Sequence, residues 1–379
     1  MKRRELHGRQ AEICLLVIFL ILFLSSNVYS FPYKDFDIAI QGSIGEMYDD
    51  NLTYVKYDKK GDFITTLGFV LDARYEGKRR ALQFTGTINQ LFNTKFKDIK
   101  NSSENLTFNF NNEFSKYDRV SLTDTFSHTQ SPATFEEEFG RIRSRYNSYS
   151  NNIALNYSKD ISEQFTLVTR YTNSLNRISG EGAQTSYRDN RLSFEVDYTH
   201  SIATIFFLSY DFFKNNFNIF THTFTAGMKR YITRRLYLDG RAGVDVTTFS
   251  DNNKSTQQRF DVSITDEIDE NTTTRLSFIR RGQATSEVGD VFRNWQITGG
   301  ISRDLLKRLS GSLSGFYGQG RFVSTDITDT LLGATFSLNY VFNERLQGNL
   351  QYSYSNLDST DETRGYTKST MFLGLTVTF

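Results

Sequence analysis

Apolar and polar positions alternate with a period of two along most of the chain. In the segment RLYLDGRAGVDV, Leu236, Leu238 and Val244 share one parity, whereas Asp239 and Arg241 share the other. A period of two places successive side chains on opposite faces of a β-strand, whereas an amphipathic helix repeats every 3.6 residues. The same alternation runs through RLSFEVDY, NLTFNFNNEF and RLQGNLQYSY. The pattern predicts strands with one apolar and one polar face.

Connections between the predicted strands alternate between short turns and longer polar loops. The short turns lie near residues 78, 117, 161, 202, 233, 270, 306 and 343. The longer loops span residues 49–61, 95–103, 131–143, 177–187, 214–219, 250–257, 285–292, 322–329 and 356–365. Together they join about 18 strands, or 16 if one hairpin is divided differently. An even strand number with short turns at one end is typical of bacterial outer-membrane barrels.

Composition agrees with a barrel. The chain has two Pro, which suits long strands because Pro removes a ladder donor, and 15% aromatic residues, which suit girdles at membrane interfaces. A sheet in lipid must close, because an unpaired edge cannot be hydrated there. We predict one all-β domain over residues 31–379, a transmembrane antiparallel up-and-down β-barrel with short periplasmic turns and longer external loops. A soluble all-β repeat protein is the alternative.

Residues 1–30 have the layout of an export signal. Basic residues at Lys2 to Arg4 precede an apolar core of 12 residues, Ile13 to Leu24. Val28 and Ser30 stand at the small-residue cleavage positions, so Phe31 is predicted to begin the mature chain. We therefore predict a cleaved signal peptide and a location in the outer membrane of a Gram-negative bacterium. An uncleaved N-terminal anchor is the alternative.

The remaining composition limits the chemistry that we expect. The only cysteine, Cys14, lies in the signal, so the mature chain would have no disulfide. Removing residues 1–30 takes four basic and two acidic residues from totals of 44 and 43, which leaves a net charge of −1 and excludes a polybasic nucleic-acid binder. His128, His200 and His222 have no metal-ligand spacing. We expect no enzyme, no cofactor and no metal, with a serine hydrolase using His128 or His222 as the alternative.

The last segment, STMFLGLTVTF, carries five apolar residues of one parity and ends on an aromatic side chain. It is similar to the C-terminal signature by which outer-membrane barrels are recognised for assembly. We interpret this row as the lipid-facing side of the closing strand and as the assembly signal, with membrane lipid and the barrel-assembly machinery as partners. The five residues are Met371, Leu373, Leu375, Val377 and Phe379.

The polar faces predict the lumen. Eighteen strands about 4.8 Å apart and tilted by about 40° give a diameter of roughly 35 Å, too wide for side chains to fill, so we expect an aqueous channel unless a loop folds inward. Charged residues of both signs and one Tyr are predicted to line it, which favours a conduit with little ion selectivity. Alternatively, these charges pair across strands and stiffen the wall. The candidates are Asp72, Arg74, Glu76, Arg170, Arg191, Glu195, Asp197, Tyr237, Asp239, Arg241, Asp245, Arg259 and Asp261.

Two features leave alternatives open. The third long loop, SPATFEEEFGRIRS, would form a constriction if it folded inward, and otherwise is a solvated surface loop. Asp124 shares its parity with apolar neighbours, so either a bulge shifts the strand or Asp124 lies beyond the apolar band. The charged residues of the candidate constriction loop are Glu136, Glu137, Glu138, Arg141 and Arg143.

One stretch, from Tyr48 to Arg80, is motif-like. Asp50 and Asn51 close a first strand, and the run from Asp62 to Thr66 opens a second one. The stretch resembles the start of the "putative beta-barrel porin type-2" family, although Gly68-Phe69 stands where that family has Pro-Gly. The resemblance implies a channel for exopolysaccharide or another surface polysaccharide, with polysaccharide and secretion-system proteins as partners. The alternatives are a general diffusion porin for small solutes and a non-conducting structural or adhesive barrel.

Overall fold

The computed structural model describes residues 36–97, 101–130, 147–179, 186–284 and 291–379. These residues form 18 β-strands of 12 to 16 residues. Among them, no helix has the length and apolarity required to cross a membrane. The strands are β1 Phe36–Asp49, β2 Asp62–Glu76, β3 Arg80–Asn93, β4 Asn101–Glu113, β5 Asp118–Thr129, β6 Asn147–Asp160, β7 Phe165–Ser179, β8 Ser186–Ser201, β9 Thr204–Asn215, β10 Phe220–Tyr231, β11 Leu236–Thr248, β12 Lys254–Asp269, β13 Thr272–Ala284, β14 Val291–Leu306, β15 Leu309–Phe322, β16 Thr328–Val341, β17 Leu346–Ser359 and β18 Tyr366–Thr378.

The strands form one closed antiparallel barrel in chain order. Each strand pairs with the next, and β1 also pairs with β18 along the register Gln41–Thr378 to Asp49–Thr370. The predicted up-and-down barrel is confirmed, with 18 strands rather than 16. Closure leaves no free sheet edge, which is the condition that a β-structure in lipid must meet. Connections at one end contain two to four residues, whereas those at the other end contain four or more.

The outer face of the barrel carries the exposed apolar side chains. Leu208 on β9 and Leu373 on β18 are 65% and 61% exposed, and most other strands carry exposed apolar residues on the same face. Charged residues of the opposite parity lie on the concave, lumenal face. The outer face also holds the row from Met371 to Phe379, as its alternation predicts. This belt is what hydrocarbon would cover in a membrane.

Asp124 is an exception on the outer face. β5 keeps an uninterrupted register with β4 and β6, so no bulge shifts its phase. Asp124 pairs with Phe108 and Ile153 in the middle of the strand, so it lies inside the apolar band and not beyond it. Its carboxylate accepts a hydrogen bond from Asn151 Nδ2 at 2.7 Å. Both explanations that the sequence offered are therefore wrong, and the outer face carries a polar pair.

Candidate functional site

All thirteen predicted lining residues lie on the lumenal parity of their strands. Three of them, Asp72, Arg74 and Glu76, are on β2, and the other ten lie on the wall formed by β7, β8, β11 and β12. Residues that pair across neighbouring strands share a face, and the register therefore groups the ten residues of β7, β8, β11 and β12 on one side of the lumen. Their role in conduction stays a prediction.

Arg241 and Glu195 join strands that are not neighbours. Glu195 on β8 and Arg241 on β11 form an ion pair that passes over β9 and β10. The pair fits because Ser209 and Thr225, directly beneath it, are small and hydrogen-bonded to each other at 2.5 Å. The Arg241 guanidinium also lies 4.4 Å from the centre of the Phe207 ring, a cation–π contact. Only the curvature of the closed sheet brings these residues together.

Gly227 makes room for this stack. A Cβ atom at Gly227 would lie 2.6 Å from the Phe207 ring and 2.3 Å from the Gly240 carbonyl oxygen. Any larger residue would displace the ring on which Arg241 rests. Glycine in a strand interior often marks such a close approach. The lumenal wall is therefore shaped by a residue that the sequence analysis did not single out.

Other lining charges also have partners in the wall. Arg74 Nε donates to Asp72 at 2.6 Å, and Gln83 and Thr85 donate to the same carboxylate at 3.0 and 2.9 Å. Arg259 lies 3.7 Å from Asp245. These contacts match the alternative in which charges pair and stiffen the wall. The lumen still presents both signs.

A cavity of about 310 Å³ lies against this wall, and we call it the arginine basin. Four arginines surround it, and three carboxylates and several hydroxyls complete its lining. Bidentate guanidinium groups recognise carboxylates well, so the basin offers binding chemistry as well as a polar wall. The lining residues are Val168, Arg170, Thr172, Arg191, Ser193, Glu195, Ser209, Asp211, Thr225, Arg241, Arg259 and Asp261.

The opposite side of the lumen carries an apolar cluster among polar residues, and a loop folds inward there, as the sequence left open. Inward-facing residues of β14 to β18 pack into a buried group near the end that carries the long loops, which we call the mouth cluster. Tyr54, from the β1–β2 loop, belongs to it, so this loop folds into the lumen. The mouth cluster consists of Tyr54, Phe292, Phe316, Phe322, Leu331, Leu357 and Tyr366.

Tyr54 is held in an unfavourable conformation. Its φ is +54°, a left-handed value that is uncommon for an aromatic residue and carries strain. Lys368 Nζ lies 3.9 Å from the ring centre, and Tyr366 meets the ring edge-on at 5.2 Å. Lys368 Nζ also pairs with Asp49 at 2.8 Å. These contacts fix the loop against the inner wall of β18.

The motif-like stretch from Tyr48 to Arg80 supplies further hydrogen bonds between this loop and β18. Asn51 Nδ2 donates to the carbonyl oxygens of Val55 and Thr367, at 2.7 and 2.9 Å, and Asp50 Oδ1 accepts from the Ser369 amide at 2.7 Å. β1 ends at Asp49, so Asp50 and Asn51 begin the loop instead of closing the strand. They join the loop to the strand that closes the barrel. The sequence pointed to this motif but not to its contacts.

The loop that the sequence predicted as a candidate constriction is outside the described part of the chain. Glu136, Glu137, Glu138, Arg141 and Arg143 fall outside the residues that the structure describes. Among the described residues, the loop between β1 and β2 is one that enters the lumen.

The two histidines of the hydrolase alternative are engaged by groups other than serine. His128 Nδ1 lies 2.8 Å from Glu104 Oε2, and its Nε2 lies 2.7 Å from Asn147 Oδ1. His222 Nδ1 bonds the Tyr210 hydroxyl at 2.9 Å. Neither imidazole bonds a serine hydroxyl among the described residues, so the contacts of a nucleophile and its base are not formed there. Across the same residues, no group of three or more His, Cys, Asp or Glu could hold a metal ion.

Comparisons with known proteins agree with the architecture. The sequence model of the family described as "Putative beta-barrel porin 2" matches residues 270–379. The family that the sequence suggested is thus confirmed for this segment, whereas the stretch from Tyr48 to Arg80 lies outside the match. No curated protein matches the chain in sequence.

Solved outer-membrane proteins of Pseudomonas aeruginosa have a similar fold. OccK2 (OpdF), solved in complex with glucuronate, is 10% identical with a TM-score of 0.53, over 91% of this chain and 99% of that one. OpdK is 9% identical with a TM-score of 0.52, over 90% and 98%. OccK3 (OpdO) is 12% identical with a TM-score of 0.50, over 90% and 96%. At such identities the likeness concerns the fold alone, which is a porin-like barrel.

Proposed function

We propose that this protein is an outer-membrane channel for small polar solutes. The observation that carries the proposal is the contrast between the two faces of one closed barrel. The outer face bears a belt of exposed apolar side chains, and the lumenal face of β7 to β12 bears charges of both signs around a cavity. An apolar belt requires lipid, and a charged interior requires water.

The mouth cluster restricts what passes. Tyr54 and its loop occupy the lumen beside β14 to β18 and leave the charged wall as the polar route. A solute must therefore pass the arginine basin, where hydrogen-bonding groups replace part of its hydration shell. This arrangement favours small hydrophilic solutes over bulky apolar ones. The complex of OccK2 with glucuronate supports the proposal as an analogy of fold only.

Export of a surface polysaccharide is the second role to consider, and it rests on the family resemblance. The loop that Asn51 and Lys368 hold inside the lumen would obstruct a polymer unless it moved. The small-solute channel is therefore the better-supported proposal, and polysaccharide export stays a prediction. The signal peptide, the partners and the absence of enzymatic activity also stay predictions.

Reconstitution tests the channel. Purified protein in a planar bilayer should give stepwise ionic currents, and vesicles that contain it should take up small sugars but exclude a dextran of about 10 kDa. A heat-denatured sample is the control for leakage caused by residual detergent. A correctly folded barrel that gives neither currents nor uptake would refute the proposal and favour a non-conducting structural or adhesive barrel.

A further inference from the structure

Two arginines of the basin are free to bind a solute. Glu195 engages Arg241, and Arg259 lies beside Asp245. Arg191, in contrast, has no hydrogen bond or ion pair with any described residue: it faces the Phe213 ring at 5.8 Å, and the carboxylates of Asp211 and Asp245 act on it from beyond ion-pair distance.

Arg170 uses its Nε to donate to Asn156 Oδ1 at 2.7 Å, and no other described residue takes a hydrogen bond from it. Because a guanidinium has five N–H donors, most donors of Arg170 and Arg191 remain available.

The basin also offers acceptors that the wall does not use. The carboxylates of Asp211 and Asp261 line the cavity and make no hydrogen bond or ion pair with another described residue. A solute with donor groups would hydrogen-bond to these two carboxylates.

The floor of the basin carries hydroxyl groups. Ser193, Ser209 and Thr225 line it, and hydroxyls exchange hydrogen bonds in both directions with the hydroxyls of a solute. A volume of about 310 Å³ lies at the lower end of the range for ligand sites, so the basin suits a single small molecule rather than a polymer.

We infer that the arginine basin binds a small hydroxylated carboxylate of the sugar-acid class, an inference that rests on the channel proposed above. The carboxylate binds the guanidinium groups of Arg170 and Arg191, where charge-assisted, bidentate hydrogen bonds are strongest. The hydroxyls of the solute donate to Asp211 and Asp261. An aliphatic acid would leave these two carboxylates unmatched, and a neutral polyol would leave the arginines unmatched.

The test is the interruption of single-channel current by four probes at equal concentration. Gluconate has both required groups, hexanoate has the carboxylate alone, glucitol has the hydroxyls alone, and serine combines the carboxylate with an ammonium group and a single hydroxyl. We expect gluconate to block with an apparent affinity at least tenfold higher than any other probe. Arg191→Gln should weaken the gluconate block by about tenfold and leave the glucitol block unchanged, because one charged partner is lost.

Asp211→Asn should reduce the preference for gluconate over hexanoate. Arg119→Gln is the matched control, because Arg119 lies on β5 outside the basin and pairs with Asp160, and it should change no block. Heat-modifiable migration on gels verifies that each variant is folded.

The outcomes separate this inference from the proposed channel. A conducting barrel that gluconate blocks no better than hexanoate and glucitol overturns the site but leaves the channel intact. Stronger block by serine overturns the sugar-acid class. If the barrel does not conduct, calorimetric titration of the folded barrel with gluconate tests whether the binding site exists. If the folded barrel binds gluconate and Arg191→Gln abolishes this binding, the site is supported although the channel proposal fails. If the folded barrel does not bind gluconate, both the site and the channel are refuted.

Discussion

The ion pair between Arg364 and Asp329 should contribute more to stability than any exposed pair of this barrel. The two side chains are 2% and 0% exposed, and Arg364 Nη2 lies 2.5 Å from Asp329 Oδ2. The guanidinium also lies 4.7 Å from the centre of the Phe322 ring, within the mouth cluster. Asp329→Asn would remove the negative charge beside this buried guanidinium, and breaking a buried ion pair in this way costs about 3–5 kcal/mol. The unfolding equilibrium constant should therefore rise by about two to four orders of magnitude.

Equilibrium unfolding in lipid vesicles measures this loss. The chain has one tryptophan, Trp295, on the outer face of β14 and 5.6 Å from the Tyr317 ring, so its fluorescence reports the barrel wall. The matched control is Arg119 with Asp160, a pair at 2.8 Å whose side chains are 45% and 24% exposed. Water screens that pair, so Asp160→Asn should cost only about 0.2–1 kcal/mol.

A double variant separates the buried charge from the loss of packing. Asp329→Leu combined with Arg364→Met replaces both charges by apolar groups and should recover most of the stability that Asp329→Asn loses, because neither buried charge remains. Equal losses for Asp329→Asn and Asp160→Asn would refute the reasoning. A double variant as unstable as the single one would show that packing, and not the loss of the Asp329 charge, sets the cost.

Three further predictions follow from the faces of the barrel and from its inner loop. Ile88→Arg, on the lipid-facing side of β3, should lower the free energy of unfolding by about 2–4 kcal/mol in the same assay. The control Thr87→Arg, at the neighbouring lumenal position, should be nearly neutral, and equal costs would mean that the faces are misassigned. Asp124→Leu should raise the free energy of unfolding by about 1 kcal/mol, and a loss would indicate that protein rather than lipid covers this site. Tyr54→Gly should relieve the positive φ and increase single-channel conductance by emptying the mouth, and unchanged conductance would exclude the β1–β2 loop as the constriction.

Local sequence determined the strands and the faces of their residues, and it limited the number of strands to 16 or 18. Alternation is a property of neighbouring residues, and therefore Leu373 could be assigned to the outer face and Arg241 to the lumen without any long-range information. The short turns could be located because they interrupt that alternation. Asp124 shows the limit of this reasoning, because parity gave its face but no sequence rule explained a carboxylate there.

Tertiary structure decided how the lumen is divided. Parity predicts that a side chain points inward, but it does not tell whether the side chain meets water or another part of the wall. Phe322 and Leu357 point inward and are buried because a loop from the first hairpin packs against them. Glu195 meets Arg241 because closure and curvature bring strands three positions apart within reach. Contacts across a lumen depend on the stagger and closure of the whole sheet, which the alternation within single strands does not encode.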